Sequence, residues 1–381
     1  MKIKSNPDRR DFLKLAAAAG VSGLAKSIAD WPGDFGRITG LPRSSGTNPQ
    51  FKPVKVSSDR IIKTVVGLRP YRPSGFVIKT EKTDGKLLVH NYGHGGGGVS
   101  LSWGTAKIAV ENVLQSGISN VAVAGCGVIG LSTALLLQSK GFNVTIYTKE
   151  IPPDTTSNVA GALWGPVSVF EEGKAGIESI EQFYWASGIS HSIFQDFAGE
   201  KYGIGWIKNY SLGKPFNFPG GKDLYSGFKE YQDGEFLLGF NNVQEVSNLL
   251  IDMPVYLKAL LEDFYLQGGK TETRNFNSVH DFTLLPEQII MNCTGLGAGK
   301  LLNDKELIPV KGQLTLLMPQ PEIDYSYMAV SEGKLLYMLP RKDGIILGGT
   351  SEKGNWSLEP DKNETERILK GHAAIADSLI P

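Results

Sequence analysis

Only two of the 381 residues are cysteine and five are histidine, and these scarcities remove two large classes of function at the outset. Cys126 and Cys293 each end an apolar run, and neither has a second cysteine at metal-binding spacing. A disulfide scaffold and a zinc-finger pattern are thereby excluded, and a buried, unreactive thiol is the expected state of each. Of the histidines only His90 and His94 stand four apart; the glycines around them make a poor helix, so no metal site is expected there. Net charge is also missing. With 39 basic and 39 acidic residues, the chain offers no reason to expect nucleic acid as a partner. Nor is there an uninterrupted apolar run of about 18 residues, so no stable membrane anchor is expected.

What remains is an ordinary globular composition, 41% hydrophobic and 20% charged, on a chain long enough for two intertwined lobes. Glycine is the residue in excess, with 46 copies. Four of them are consecutive, Gly95 to Gly98 in "HNYGHGGGGVS", directly after an alternating strand-like stretch.

The N-terminus reads "NPDRRDFLKLAAAAGVSGLAKSIAD". Paired arginines (Arg9, Arg10), Phe-Leu-Lys, and a weakly apolar Ala/Gly run interrupted by Lys26 resemble a bacterial twin-arginine export signal over residues 1–29. The expectation is a protein exported, folded, to the periplasm or beyond, with the twin-arginine machinery as its transient partner; a short amphipathic helix on a cytoplasmic protein is the alternative. Residues 30–58 mix Pro, Gly, Ser and Asn without a sustained period and read as a linker or arm.

The clearest motif is "NVAVAGCGVIGLSTALLLQSKGFNVTIYTKE". A short apolar strand runs into Gly125, Gly127 and Gly130, a helix begins at Val128 and Ile129, Gly141 stops it, and a second strand leads to Glu150. Gly125 permits the tight turn, Gly127 lets backbone approach a pyrophosphate, Gly130 lets helix pack on strand, and the helix N-terminus favours negative charge. Glu150 falls where a ribose hydroxyl needs an acceptor. NAD and FAD both satisfy this unit, so spacing alone leaves the dinucleotide open.

Dispersed segments narrow the choice. "GLRPYRP" (67–73), "HNYGHGGGG" (90–98), "GCGVIGLSTALLL", "TTSNVAGALWGP" (155–166), "NCTGLGAG" (292–299), "VKGQLTLL" (310–317), "YMLP" (337–340) and "LGGTSEKGNW" (347–356) resemble the motif set of the D-amino-acid oxidase family of flavoproteins. The resemblance implies FAD, and an α/β, two-lobed fold in which a Rossmann-type FAD-binding domain is interleaved with a mixed-sheet substrate domain. The motif order departs from the family. There the dinucleotide fingerprint opens the chain and the "GxRPxRP" and "HNYGHGG" segments close it; here those closing segments come first. A circular permutation accounts for this, with the old ends joined through residues 103–125 and new ends cut before Asp59. Residues 59–381 then hold the whole fold. FAD-binding segments are expected at about 75–157 and 245–312, and substrate-domain segments at about 59–74, 158–244 and 313–381.

The resemblance also implies site residues. Gly95, Gly97, Gly98, Val99 and Ser100 would form the turn and helix N-terminus against the flavin ring. Thr155, Thr156, Ser157, Ala160 and Gly161 would contact pyrophosphate and flavin, and Val279, Cys293, Thr294 and Gly295 the adenine side. Arg69 matches the guanidinium that holds the substrate α-carboxylate, Tyr337 the tyrosine that supports it, and Gly96 the carbonyl that accepts from the amine. The implied activity is oxidative deamination of a D-amino acid, with hydride passing from Cα to flavin N5 and O2 returning as H2O2. Oxidation of glycine, a secondary amine or a D-acidic substrate, use of a non-oxygen acceptor, and a non-catalytic flavin protein are the alternatives. The family's second active-site tyrosine corresponds here to Gly333, with Tyr325 or Tyr327 as candidate replacements for its hydroxyl. Gly165 and Val167 replace larger pocket residues and imply a more open site. Lys334 is expected to be solvated rather than a substrate ligand.

Overall fold

The computed structural model describes residues 51–231, 240 and 242–378. The expected export signal and most of the following arm lie outside these residues. In chain order the elements are β1 (Ile61–Tyr71), β2 (Val77–Thr83), β3 (Lys86–Tyr92), α1 (Gly98–Glu111), β4 (Asn120–Ala124), α2 (Val128–Ser139) and β5 (Asn143–Thr148). They continue with α3 (Ile177–Asp196), β6 (Ile204–Leu212), β7 (Ser226–Tyr231), β8 (Val243–Ile251), α4 (Met253–Leu266), β9 (Lys270–Thr273) and the one-turn α5 (His280–Thr283). The last group is β10 (Ile289–Asn292), α6 (Gly297–Leu302), β11 (Ile308–Leu317), β12 (Tyr325–Ser331), β13 (Lys334–Arg341), β14 (Gly344–Gly348), β15 (Glu352–Lys353) and α7 (Lys362–Ser378).

Two sheets result. The smaller runs β2-β3-β10-β4-β5-β9, parallel throughout except for the antiparallel edge strand β2. Its central strands are buried on both faces, which is why "VAVA" and "IIMN" read as continuous apolar runs rather than alternating ones. Val121, Val123 and Met291 share a core with Leu131, Leu137, Leu257 and Leu260 of helices α2 and α4. The larger sheet is mixed, in the order β1-β11-β14-β13-β12-β6-β8-β7 with β15 alongside β11. The expected Rossmann-type unit and mixed-sheet partner are both present. The expected segment boundaries shift: β8 and β11 belong to the larger sheet, so the second piece of the smaller one extends only from α4 to α6, not over 245–312.

The segment preceding the fingerprint is structural, not an appendage. β3 lies inside the parallel sheet beside β10, with Asn292 in register with His90, while β1 pairs antiparallel with β11 from Ile61 to Tyr71. Helix α1 packs on α2 and α3 and leads through residues 112–119 into β4. Its neighbours therefore come from either side of the chain order.

A candidate flavin and substrate site

A cavity of about 730 Å³ lies where the two sheets meet, at the C-terminal ends of the parallel strands. Position follows from topology: in an open parallel sheet the crevice beyond the strand ends is where ligands bind.

At one end is the fingerprint turn. Gly125 leaves β4 at φ 107°, a conformation that only glycine adopts without strain, and its N–H donates to the Tyr147 carbonyl at 2.8 Å. A Cβ at Gly125 would stand 2.5 Å from the Cys293 carbonyl oxygen, so the two strand ends close on one another here. Helix α2 then starts at Val128, whose N–H donates to Ser157 Oγ at 3.0 Å. Gly130 does not face the cavity. A Cβ there would lie 1.9 Å from the Gly125 carbonyl, which is the helix-on-strand packing expected of the third glycine. Glu150 does line the cavity, paired with Lys149 at 3.1 Å.

The second glycine turn closes the other end. Gly95–Gly97 form a single 3-10 turn, the Gly96 N–H donates to the Ser168 carbonyl at 3.1 Å, and α1 begins at Gly98. Gly95, Gly96, Gly98, Val99 and Ser100 line the cavity. Gly97 turns away, toward the Val169 side chain. His94 is buried behind this turn, stacked on Phe76 with ring centroids 5.2 Å apart and 3.1 Å from Thr105 Oγ1; burial lowers its pKa to about 3, so it is neutral.

Arg69 and Tyr337 come from different strands and reach the same wall. Both are accommodated by glycines on the neighbouring strand. A Cβ at Gly312 would fall 2.5 Å from Arg69 Nη2, and one at Gly348 would fall 2.1 Å from Tyr337 Cζ. The guanidinium donates weakly from Nη1 to the Thr350 carbonyl at 3.4 Å and also lies within hydrogen-bonding reach of the Tyr337 hydroxyl, and with five N–H donors it has capacity left for a further partner. Burial raises the Tyr337 pKa; the Arg69 guanidinium opposes this, and burial prevails, so the hydroxyl is protonated at neutral pH.

Other expected residues sort clearly. Val128, Ile129, Thr155, Thr156, Ser157, Ala160, Gly161, Cys293, Thr294, Gly295, Gly165 and Val167 all line the cavity. Val279 does not: it caps the one-turn α5 and packs against the Phe282 core. Tyr325 and Tyr327 are also elsewhere. Strand alternation turns both into the core under α7, where Tyr325 donates to the Lys52 carbonyl at 2.8 Å and the Tyr327 hydroxyl bonds His372 Nδ1 at 2.6 Å. The residue that β12 gives to the cavity is Met328. Gly333 is the exposed second position of a two-residue hairpin turn, after Glu332, with φ values of 75° and 50°. It leaves no hydroxyl-sized vacancy in the site. Lys334 is paired with Glu364 at 2.7 Å, outside the cavity. Both cysteines are buried and free, with thiols pushed up to about 12 by burial.

Sequence reasoning missed Gly312 and Gly348, although both sit in quoted motifs, because their role is to leave space for side chains from other strands. It also missed Arg274 and Phe276, which line the cavity beside Glu150 after a short polar strand that carries no motif. Among the described residues no cluster of three metal-ligating side chains occurs, and no helix is long and apolar enough to cross a membrane.

A cavity with a glycine turn and a helix N-terminus at each end fits a dinucleotide, and the comparisons with known proteins agree. A family model described as FAD dependent oxidoreductase matches residues 120–211 and 247–379. D-amino-acid oxidase of Rubrobacter xylanophilus is 30% identical over 266 residues, 69% of this chain and 78% of that protein. D-aspartate oxidase of Homo sapiens is 30% identical over 68% of this chain and 77% of its own length. Glycine oxidase from Geobacillus kaustophilus superposes with a TM-score of 0.52 at 17% identity, covering 68% of this chain and 78% of that one, a likeness of fold. The chain is an FAD-dependent oxidoreductase and belongs to the family that includes the D-amino-acid oxidases.

Proposed function

We propose that this protein oxidises D-amino acids to 2-oxo acids with release of ammonia. The observation that carries the reading is the seating of Arg69 over Gly312 and of Tyr337 over Gly348, on one wall of the cavity that also holds both glycine turns. Arg69 binds the substrate α-carboxylate through two parallel charge-assisted hydrogen bonds, a geometry that lysine cannot supply. The Tyr337 hydroxyl donates to the same carboxylate, and the Gly96 carbonyl accepts from the substrate amine. A side recess of about 240 Å³, bounded by Arg69, Tyr71, Gly96, Phe170 and Lys353, has room for the substrate side chain. FAD, when bound, supplies the hydride acceptor for the Cα–H bond and returns the electrons to O2 as H2O2. Positioning by these three groups, rather than a proton relay, is this chain's contribution to the rate.

Within the cavity, Gly125, Gly127 and the start of α2 receive the pyrophosphate, Gly95, Gly96, Gly98, Val99 and Ser100 face the flavin ring, and Glu150 serves the adenosine ribose. We further propose that the chain is circularly permuted relative to its relatives. Support comes from the family match, which begins at residue 120, and from the preceding β1, β2 and β3, which complete both sheets. Export by the twin-arginine route is proposed from residues 1–29 alone; retention of the full-length protein in the cytoplasm of an expressing bacterium after Arg9 and Arg10 are changed to lysine would support it, and unchanged export would not.

Anaerobic titration of the flavoprotein with D- and L-amino acids, following loss of the oxidised flavin band, tests the activity. Bleaching by D-isomers alone is expected, and in Arg69→Ala it requires far higher substrate while the flavin stays bound. Absence of bleaching by any D-amino acid in a flavin-loaded protein would refute the proposal.

A further inference from the structure

Asn91 is fully buried, lines the large cavity, and has no hydrogen-bond partner among the described residues for either Oδ1 or Nδ2. A buried carboxamide with both ends open is destabilising unless something else satisfies it. Its surroundings offer no protein candidate. His90 Nδ1 is bonded to Asn292 Nδ2 and its Nε2 pairs with Glu81; the Tyr92 hydroxyl donates to Asp304; Asn292 Oδ1 accepts from Thr294. The polar side chains on either side of Asn91 along β3 are thus paired on the opposite face of the strand. Asn91 alternates to the face that carries the cavity.

Its position narrows what completes it. His90, Asn292 and Ala124 are in register across β3, β10 and β4, so Asn91, Cys293 and Gly125 follow one step beyond, side by side at the strand ends. Asn91 thus stands between the fingerprint turn at Gly125–Gly127 and the second turn at Gly95–Gly98. A group that meets both Oδ1 and Nδ2 must donate and accept. Phosphate oxygens only accept, whereas hydroxyls do both. We propose that Asn91 is a cofactor-positioning residue whose carboxamide bonds the ribityl hydroxyls of FAD, the polar stretch between pyrophosphate and ring.

The test uses the full-length protein and a readout other than turnover. Asn91→Leu keeps the branched shape and removes both polar atoms. FAD affinity, measured by quenching of flavin fluorescence and by the rise of melting temperature with added FAD, is expected to fall about 10- to 100-fold, as for two lost hydrogen bonds. The melting temperature without added FAD should be unchanged or higher, since an unpaired buried amide has been removed. Unchanged FAD affinity would overturn the proposal. Should the leucine variant not fold, Asn91→Ala is compared with the parent using FAD and an FAD analogue with a deoxygenated ribityl chain. The parent should lose affinity for the analogue and the variant should not; equal losses in both proteins would overturn the assignment.

Discussion

Gly312→Ala isolates the placement of Arg69 from its presence. The new Cβ would lie 2.5 Å from Nη2, 2.7 Å from Cζ and 2.9 Å from Nη1 of Arg69, where ordinary contact begins at 3.4 Å. The planar group must therefore retreat by about 0.9 Å, and a displacement of that size in a positioning group costs on the order of 100-fold in rate. Converted at about 1.4 kcal/mol per tenfold, the loss in kcat/KM corresponds to about 2.8 kcal/mol of transition-state stabilisation. Stability should move little. Arg69 is flexible at the end that is displaced, and alanine in a strand recovers about 0.5–1 kcal/mol of backbone entropy relative to glycine. The assay is steady-state oxidation of the best D-amino acid together with a thermal melt. A folded Gly312→Ala protein with kcat/KM within about threefold of the parent would refute the role given to Arg69.

Three further outcomes follow from the geometry. Gly348→Ala pushes the Tyr337 ring off its strand, since the added Cβ would be 2.1 Å from Cζ, and should raise KM about tenfold with flavin affinity unchanged; an unchanged KM counts against the tyrosine's contact with substrate. Arg72→Ala removes a guanidinium bonded to Asp304 at 2.8 Å and Glu306 at 2.7 Å. Burial alone would raise the Asp304 carboxyl, but Tyr92 and Arg72 outweigh it and hold it below its usual range. Chemical denaturation near pH 7 should show a loss of about 2–4 kcal/mol, which narrows as pH falls through the depressed Asp304 value. Finally, His94, His191 and His372 are neutral when folded because burial lowers them to about 3, 4 and 3. Unfolded histidine binds its proton below about pH 6.5, so stability is complete above that value and declines on acidification, by on the order of 2 kcal/mol per histidine at pH 5. The urea midpoint at pH 7 and pH 5 measures this, and His191→Gln should lessen the decline; an identical decline in that variant would refute His191's share.

The legible parts of the site were those where backbone chemistry dictates sequence locally. A turn at φ 107° followed by a helix N-terminus forces a glycine pattern, and the arginine of a proline-framed strand stands inside a distinctive motif. The illegible parts depend on which strands become neighbours. Tyr325 and Tyr327 look available in sequence, yet pairing of β12 with β6 and β13 fixes which face each residue takes, and both go to the core. Gly333 reads as a lost hydroxyl but belongs to a hairpin whose turn demands positive φ at two successive residues. Asn91 sits in a motif already singled out for its glycines, and only its lack of partners among the described residues distinguishes it.

Chain order is the least constraining of these properties, which is why the proposed permutation leaves the site intact. A parallel sheet needs β3 beside β10 and β10 beside β4, but it places no demand on which strand is synthesised first. The constraint falls on the crossover. Residues 112–119 must carry the chain from the end of α1 to the start of β4, and α1 already packs against α2, which follows β4. The joint thus lies at the strand beginnings, at the opposite end of the sheet from Gly125, Asn91 and the cavity. Lengthening residues 112–119 with a flexible insertion should accordingly leave FAD affinity unchanged, whereas the same insertion between Gly98 and Leu101 should abolish it. Loss of FAD binding on lengthening 112–119 would show that the joint holds the site together.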